Sequence, residues 1–164
     1  MKRNPKQRFD VDPVLEKISP HIPDEEIELE LIQYRQSDPA DAGDPVLLIH
    51  GLAQGSSIYN SKRMDRNMAR HLWKAGYDVW LLDHRLSNRV DVPFDGWSID
   101  AIGRHDVPDA VRYVYEASGN GIASERRPVK IFAHCVGAIG TQMSILSGLL
   151  KNEVGDNIVE SVCF

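Results

Sequence analysis

Three short, mostly apolar runs constrain this chain more than any other feature of its sequence. They are "VLLIHG" beginning at Val46, "YDVWLLD" beginning at Tyr77 and "VKIFA" beginning at Val129. Strands that are buried on both faces have this composition, and they belong to parallel sheets. Segments with apolar residues at helical spacing separate the three runs. The order predicts an α/β fold in which a mostly parallel sheet carries helices on both faces.

Two further strands and three helices complete the predicted architecture. "EEIELELIQYRQ", residues 25–36, alternates acidic and apolar residues and predicts a strand with one solvated face at a sheet edge. "NIVESVCF", residues 157–164, predicts a fourth strand of the parallel series. Helices are predicted across residues 60–75 with Gly76 as a stop signal, from about Asp106 with Pro108 in the first turn, and from Gly137 to about Leu150.

Length and composition predict one domain and exclude several classes of function. The 164 residues divide into a polar lead-in at 1–24 and a globular part at 25–164. The net charge of −5, without a long Lys/Arg block, argues against a nucleic-acid partner. No apolar run approaches the length of a membrane span, and the N-terminus lacks the apolar core of a secretory signal. Two cysteines, Cys135 and Cys163, suggest no disulfide framework, so a reduced, cytoplasmic setting is expected.

The segment "AHCVG" places a cysteine at a sharp turn between a strand and a helix. Ala133, Cys135 and Gly137 occupy the positions of a G-x-S-x-G nucleophile elbow. Small residues at the outer positions let strand and helix approach closely, while residue 135 is held in a strained conformation. The positive end of the helix dipole favours the thiolate. Cys135 is therefore the candidate nucleophile, and the competing interpretation is a small apolar residue at a crowded corner.

An acyl-transfer site also needs donors for the oxyanion that forms in the reaction. Ligands of an open parallel sheet bind beyond the carboxyl ends of its strands, and "HGLAQGSS" follows the first buried strand. The backbone N–H groups of Leu52 and Val136 are the candidate oxyanion donors. The residues interpreted as shaping this loop and the elbow are His50, Gly51, His134 and Gly137.

Other polar residues have structural interpretations. Asp83 and Arg85, after the second buried strand, predict an ion pair that holds a loop, and Asp106 suits a helix start. No His/Cys/carboxylate cluster has the spacing of metal ligands. "GNG" at residues 119–121 lacks the third glycine of a dinucleotide loop, so neither a metal nor a nucleotide cofactor is predicted. Cys163, inside an apolar strand, is expected in the core.

The order of these motifs resembles the α/β-hydrolase superfamily from about Glu26 to Phe164. "VLLIHGLAQGSSIY" resembles the oxyanion-loop region of that superfamily. "MARHLWKAGYDVWLLDHR" and "SIDAIGRHDVPDAVRYV" resemble its acid-lipase-like branch. The nearest resemblance is to the hydrolase-like domain attached to some bacterial glucose–methanol–choline oxidoreductases. This resemblance implies an esterase-like or lipase-like activity on a small-molecule acyl ester or thioester.

The chain departs from that family in two respects. The usual serine is Cys135, as in dienelactone hydrolases and polyhydroxyalkanoate synthases, and a cysteine keeps covalent catalysis available. The family's triad runs nucleophile, acid and histidine along the chain. Here all six histidines lie at or before His134, and nothing in their spacing brings His84 or His105 to Cys135. The chain thus resembles the front half of a hydrolase domain, with a triad completed by residues absent from it.

Three functions stay open on the sequence alone. The first is a hydrolase that transfers the acyl group from Cys135 to water. The second is an acyltransferase of the polyhydroxyalkanoate-synthase type, in which a hydroxyl group accepts the acyl group. The third is a non-catalytic, hydrolase-derived fragment or binding module. In each case an exposed apolar edge at the last strand would favour association with another chain.

Overall fold

The computed structural model describes residues 11–20, 27–36, 42–64, 66–92, 98–120 and 122–164. Its strands are β1 (Val14–Ile18), β2 (Leu29–Tyr34), β3 (Pro45–Ile49), β4 (Asp78–Asp83), β5 (Val129–Ala133) and β6 (Val159–Cys163). Its helices are α1 (Ser57–Asn60), α2 (Met68–Lys74), α3 (Ile99–Ala101), α4 (Val107–Ser118) and α5 (Val136–Leu146). A π-helical turn at Ile102–Asp106 joins α3 to α4, and a 3₁₀ turn lies at Ala123–Glu125. The predicted α/β architecture is confirmed.

The six strands form one mixed sheet in the order β1-β2-β4-β3-β5-β6. β2 runs antiparallel to β1 and β4, whereas β4, β3, β5 and β6 run parallel to one another. Every residue of β3 and β4 is buried, as the mostly apolar runs predict. The carboxyl ends of β3, β4 and β5 meet at one edge of the sheet. His50, His84 and His134 each follow directly after one of these three strands.

Alternation along the strands divides the apolar side chains between two cores, one on each face of the sheet. One core packs strand residues such as Leu47, Ile49 and Trp80 against α4 and the π-helical turn. The other packs Leu48 and Leu81 with their neighbours against α1 and α2. Each fully buried leucine or isoleucine contributes about 1.5–3 kcal/mol relative to an exposed one. The two layers hold the strand ends, and therefore the loops that follow them, in fixed positions.

The sequence pattern of β2 predicts an edge strand, but the structure places β2 inside the sheet. It pairs with β1 on one side and with β4 on the other, and the edge position belongs to β1 within the predicted lead-in. Glu30 is one of the acidic residues that suggested a solvated face. Its charge is balanced by Arg89, because Glu30 Oε2 lies 3.5 Å from an Arg89 guanidinium nitrogen. The predicted boundary between residues 24 and 25 lies outside the described residues.

Helix positions agree with the predictions more closely than helix lengths do. α2 begins at Met68 rather than near residue 60, because the Asn67 side chain caps it by accepting a hydrogen bond from Arg70 N–H. Gly76 follows α2 with a φ of 93°, as a stop signal should. Helical structure before Pro108 begins earlier than predicted, at α3. α5 ends at Leu146, four residues before the predicted end.

Cys163 is exposed, which contradicts the expectation that it is a core residue. β6, which contains it, pairs with β5 on one side and is the outermost strand of the sheet within the described ranges. Three of its five residues are exposed for the same reason. Apolar composition predicted the strand correctly, but burial depends on neighbouring strands and helices that a local pattern does not report.

Candidate active site

Cys135 occupies a strained turn between β5 and α5. Its φ of 55° and ψ of −121° lie in a region that residues with a side chain rarely adopt. Hydrogen bonds on both sides hold the turn: His134 N–H donates to Ile49 O at 3.0 Å and Gly137 N–H donates to His134 O at 3.1 Å. The Cys135 side chain is exposed. The structure therefore has the backbone strain and thiol exposure that the elbow motif predicts, while the nucleophilic role itself stays a prediction.

Gly137 lets helix α5 approach the end of strand β3 closely. A Cβ at this position would lie 2.4 Å from His50 O and 2.7 Å from Ile49 Cγ2. Both distances are far shorter than van der Waals contact, and one of the two atoms belongs to the backbone. The absence of a side chain at residue 137 therefore sets how closely the elbow and the loop after β3 can lie.

Replacing Gly137 with alanine is expected to destabilise the fold by about 1–3 kcal/mol, because α5 and β3 must move apart. Urea unfolding of the wild type and the Gly137→Ala variant measures the difference in free energy. Ser147→Ala, at the exposed C-terminal end of the same helix, is the control and should stay within about 0.5 kcal/mol of wild type. Equal unfolding free energies for Gly137→Ala and wild type would contradict the close approach.

The loop after β3, residues 50–56, lies directly beside the Cys135 thiol. It is called the oxyanion loop from here on. A Cβ on Gly51 would lie 2.9 Å from Cys135 Cβ and 3.4 Å from Cys135 Sγ. Leu52 follows with half of its side chain exposed. Among the residues that the structure describes, no acceptor takes the N–H of Leu52 or of Val136. Within that part of the chain, both predicted oxyanion donors are therefore unpaired.

Gln54 was not predicted as a site residue, although its side chain holds the backbone of the oxyanion loop to which it belongs. Its side-chain Oε1 accepts a hydrogen bond from Gly51 N–H at 3.2 Å. Its backbone oxygen accepts one from Asn88 N–H at 2.8 Å. The first contact occupies the N–H of Gly51, whereas the N–H of Leu52 has no acceptor among the described residues. No local sequence pattern distinguishes this glutamine from an ordinary loop residue.

A buried polar network around Asp83 lies beneath the oxyanion loop. Asp83 Oδ1 accepts hydrogen bonds from Ser56 N–H and Ser87 Oγ, both at 2.7 Å, and lies 3.3 Å from His50 Nε2. Asp83 Oδ2 lies 3.2 Å from Arg89 Nε. Burial of the carboxyl opposes its ionisation, but the contacts from His50, Ser56 and Ser87 outweigh burial and lower the pKa of Asp83. Asp83 is therefore a buried carboxylate whose Oδ1 accepts two hydrogen bonds and which lies beside His50 and Arg89.

His84 is held neutral beside His50. The two rings stack with their centroids 4.1 Å apart. His84 Nε2–H donates to His50 O at 2.9 Å, and His84 Nδ1 accepts from Leu86 N–H at 3.2 Å. Burial, together with the neighbouring His50, lowers the pKa of His84 to about 3. Both ring nitrogens of His84 make hydrogen bonds to the backbone. His84 therefore has a structural role and is not available as a general base for Cys135.

The lowered pKa of His84 predicts that stability falls on acidification. Between its ordinary pKa of 6.5 and the folded value of about 3, the unfolded chain binds a proton that the folded chain does not. The free energy of unfolding should therefore decrease as the pH falls through 6.5, with a slope approaching roughly 1.4 kcal/mol per pH unit from this residue. Urea unfolding between pH 7.5 and 4.5 measures the slope. His84→Gln should reduce it, and an unchanged slope in that variant would contradict the assignment.

Arg85 pairs with Asp106 instead of the predicted Asp83. Arg85 Nε lies 3.0 Å from Asp106 Oδ2, and a terminal guanidinium nitrogen donates to Asp106 Oδ1 at 2.8 Å. Arg85 N–H also donates to Asp106 Oδ2 at 3.1 Å, and both side chains are buried. Asp106 consequently does not cap α4, whose start shows no side-chain cap. The pair joins the loop after β4 to the π-helical turn.

Other predicted features do not converge on this site. Within the described ranges, no three His, Cys, Asp or Glu side chains cluster as metal ligands do. No helix in the same ranges combines the length and the apolar composition that crossing a bilayer requires. Gly119 and Asn120 form the turn after α4, and Gly121 of the "GNG" segment lies outside the described residues.

Comparison with known proteins shows similarity to proteins described as an esterase and a lipase. No protein-family model matches the chain. Sterol esterase 2 of Saccharomyces cerevisiae is 26% identical over 116 residues, which are 64% of this chain and 20% of that protein. A protein of Schizosaccharomyces pombe described as a probable lipase is 31% identical over 80 residues, which are 43% of this chain and 17% of that protein. The chain thus spans about a fifth of the length of these curated relatives.

A solved structure shares the fold of this chain. The esterase Pf2001 of Pyrococcus furiosus superposes with a TM-score of 0.57 at 14% identity, over 84% of this chain and 47% of that one. The chain has the α/β-hydrolase fold, of which it spans part.

Proposed function

We propose that this chain supplies the nucleophile and the oxyanion hole of an enzyme that cleaves carboxylic esters or thioesters. The observation that carries the proposal is the strained, exposed Cys135, whose Sγ lies beside the oxyanion loop at Gly51. The esterase and lipase relatives support small-molecule esters as substrates. We also propose that the chain belongs to the acid-lipase-like branch of the α/β-hydrolases.

The reaction would proceed through a covalent thioester. The Cys135 thiolate attacks the acyl carbon, and the electron pair of the carbonyl bond moves onto its oxygen. The N–H groups of Leu52 and Val136 donate to that oxyanion. The tetrahedral intermediate collapses, the bond to the leaving group breaks, and the leaving alkoxide or thiolate takes up a proton. Water then cleaves the thioester to the acid and the free thiol, with a base supplied by residues outside these 164.

The proposed setting is the reducing cytoplasm. A thiol nucleophile must stay reduced to act, and cytoplasmic thiols are kept reduced. Cys135 and Cys163 are both free and exposed, so both would be open to oxidation in another compartment. We further propose that the exposed outer edge of β6 can associate with another chain, and sedimentation over a range of concentrations tests this.

Mass spectrometry after incubation with p-nitrophenyl butyrate tests the proposed nucleophile. The polypeptide carrying this chain should gain the mass of one butyryl group as p-nitrophenol is released. Peptide mapping should place that group on Cys135. Cys163 is the internal control, because it is a second exposed thiol in an ordinary strand. A butyryl group on Cys163 alone, or on neither cysteine, would contradict the proposal.

An acyltransferase is the second candidate, favoured by the cysteine at residue 135. A thioester intermediate can pass its acyl group to a hydroxyl group as readily as to water when the site holds the acceptor. Product analysis in the presence of an added primary alcohol separates the two functions. Mostly free acid indicates the hydrolase, and mostly new ester indicates the acyltransferase. If the Cys135 thiol is never acylated, the remaining interpretation is a non-catalytic binding module.

A further inference from the structure

We propose that Asp83 is the positioning residue of the oxyanion loop, because its buried carboxylate holds both ends of residues 50–56. This inference deepens the proposed function and rests on it, since the loop matters for chemistry only if Leu52 N–H receives the oxyanion. Asp83 does not touch the reacting atoms. It acts through the loop that lies between it and Cys135.

The first end of the loop is held through His50. Asp83 Oδ1 lies 3.3 Å from His50 Nε2, and neither side chain has any exposed surface. The other ring nitrogen, His50 Nδ1, lies 2.7 Å from Gly51 O. The short contact at Nδ1 holds the imidazole ring against Gly51, and the Asp83 carboxylate packs against the other ring nitrogen. The ring in turn fixes the peptide between Gly51 and Leu52, which carries the Leu52 N–H.

The second end of the loop is held through Ser56. Ser56 N–H donates to Asp83 Oδ1 at 2.7 Å, which ties the start of α1 to the end of β4. Gly55 makes this approach possible, because a Cβ there would lie 3.1 Å from Asp83 Oδ1 and 2.7 Å from Asn88 Oδ1. The carboxylate therefore lies directly against the loop backbone.

Backbone hydrogen bonds complete the attachment between the two ends. Ala53 N–H donates to Leu86 O at 3.0 Å, and Asn88 N–H donates to Gln54 O at 2.8 Å. The partners belong to residues 84–89, which begin immediately after Asp83. Ser87 and Arg89 in the same segment also contact the carboxylate. Removing the charge of Asp83 therefore loosens the oxyanion loop and its support together.

The effect should appear only in reactions that form an oxyanion. Acylation of Cys135 by p-nitrophenyl acetate passes through a tetrahedral oxyanion, so a misplaced Leu52 N–H slows it. Alkylation by iodoacetamide displaces iodide directly at carbon and forms no oxyanion. Asp83→Asn keeps the size of the side chain and removes its charge. We expect its acylation rate to fall about 10- to 100-fold, in the range found when one oxyanion donor is lost or misplaced. The alkylation rate should change less than about twofold.

Asp78→Asn is the matched control. Asp78 is a buried aspartate on the same strand, at its opposite end, where Gln33 and Trp80 donate to it. The same substitution there removes a buried charge far from the oxyanion loop. Its acylation and alkylation rates should both equal those of wild type. Equal loss of acylation in the two variants would overturn the proposal, because a general loss of stability would then explain it.

Amide hydrogen exchange gives a readout that does not depend on acylation. Asp83→Asn should speed exchange across residues 50–56, and Asp78→Asn should not. If wild-type Cys135 is not acylated, the proposed function fails, while the exchange result still decides whether Asp83 holds the loop. If Asp83→Asn does not fold, Arg89→Met provides a milder test, because 43% of the Arg89 side chain is exposed and one contact to Asp83 is lost. If the variant used, Asp83→Asn or its substitute Arg89→Met, folds and shows unchanged exchange in residues 50–56, the proposal is overturned.

Discussion

Cys135→Ala should reduce ester turnover by at least about 10³-fold in the polypeptide that carries this chain, because the variant has no atom to form the acyl-enzyme. The initial rate of p-nitrophenyl butyrate hydrolysis measures the loss. Folding should be retained, since the Cys135 side chain is exposed and leaves no cavity. Alanine also keeps a Cβ at a residue whose φ is 55°.

Cys163→Ala is the matched control for this loss. It removes the other exposed thiol of the described chain and should leave turnover unchanged. Equal activity of Cys135→Ala and wild type would show that the hydrolysis arises elsewhere. Cys135→Ser should retain some acylation if a general base serves the site, because the hydroxyl group then replaces the thiol as in the serine members of the superfamily.

Arg85→Met should lower the free energy of unfolding by about 3–5 kcal/mol, because it leaves the Asp106 carboxylate buried without its partner. Three nitrogens of Arg85 lie within 3.2 Å of the Asp106 carboxylate, and both side chains are almost completely buried. Urea unfolding at pH 7 measures the loss. The reciprocal variant Asp106→Asn should show a similar loss, since it leaves the guanidinium buried and uncompensated.

Asp109→Asn provides the control for the buried pair. Asp109 contacts Arg112 within the same helix, and both side chains are partly exposed. An exposed pair of this kind contributes about 1 kcal/mol or less. If Asp106→Asn and Asp109→Asn have the same small effect, the pair between Arg85 and Asp106 does not hold the loop after β4 to the π-helical turn.

The sequence predicts the central part of this fold well because the relevant signals are local. β3 and β4 are apolar runs that are buried along their whole length, and β5 is a mostly apolar run that alternates buried and half-buried residues. The predictions fail where the sheet order matters. β2 looks like an edge strand by its alternation, yet β1 covers it and Arg89 lies beside Glu30. Cys163 looks like a core residue, yet it lies in the outermost described strand.

The candidate site also contains some residues that the local sequence predicts and others that it does not. Cys135 and Gly137 are predictable because the spacing of small residues around a sharp turn is a property of five consecutive residues. The network around Asp83 joins the end of β4 to the loop after β3, about 30 residues earlier in the sequence, and no periodicity reports such a contact. Arg85 similarly contacts Asp106, 21 residues away, instead of its neighbour Asp83. Long-range polar pairs depend on the tertiary arrangement.

The relative alkylation rates of the two cysteines in one protein sample test the central claim most directly. Both thiols are exposed, and only Cys135 lies in a strained turn at a helix N-terminus. Limited treatment with iodoacetamide at neutral pH, followed by peptide mass spectrometry, gives both rates under identical conditions. An activated nucleophile predicts that Cys135 reacts more than about tenfold faster than Cys163. Equal rates, or faster reaction of Cys163, would contradict the account.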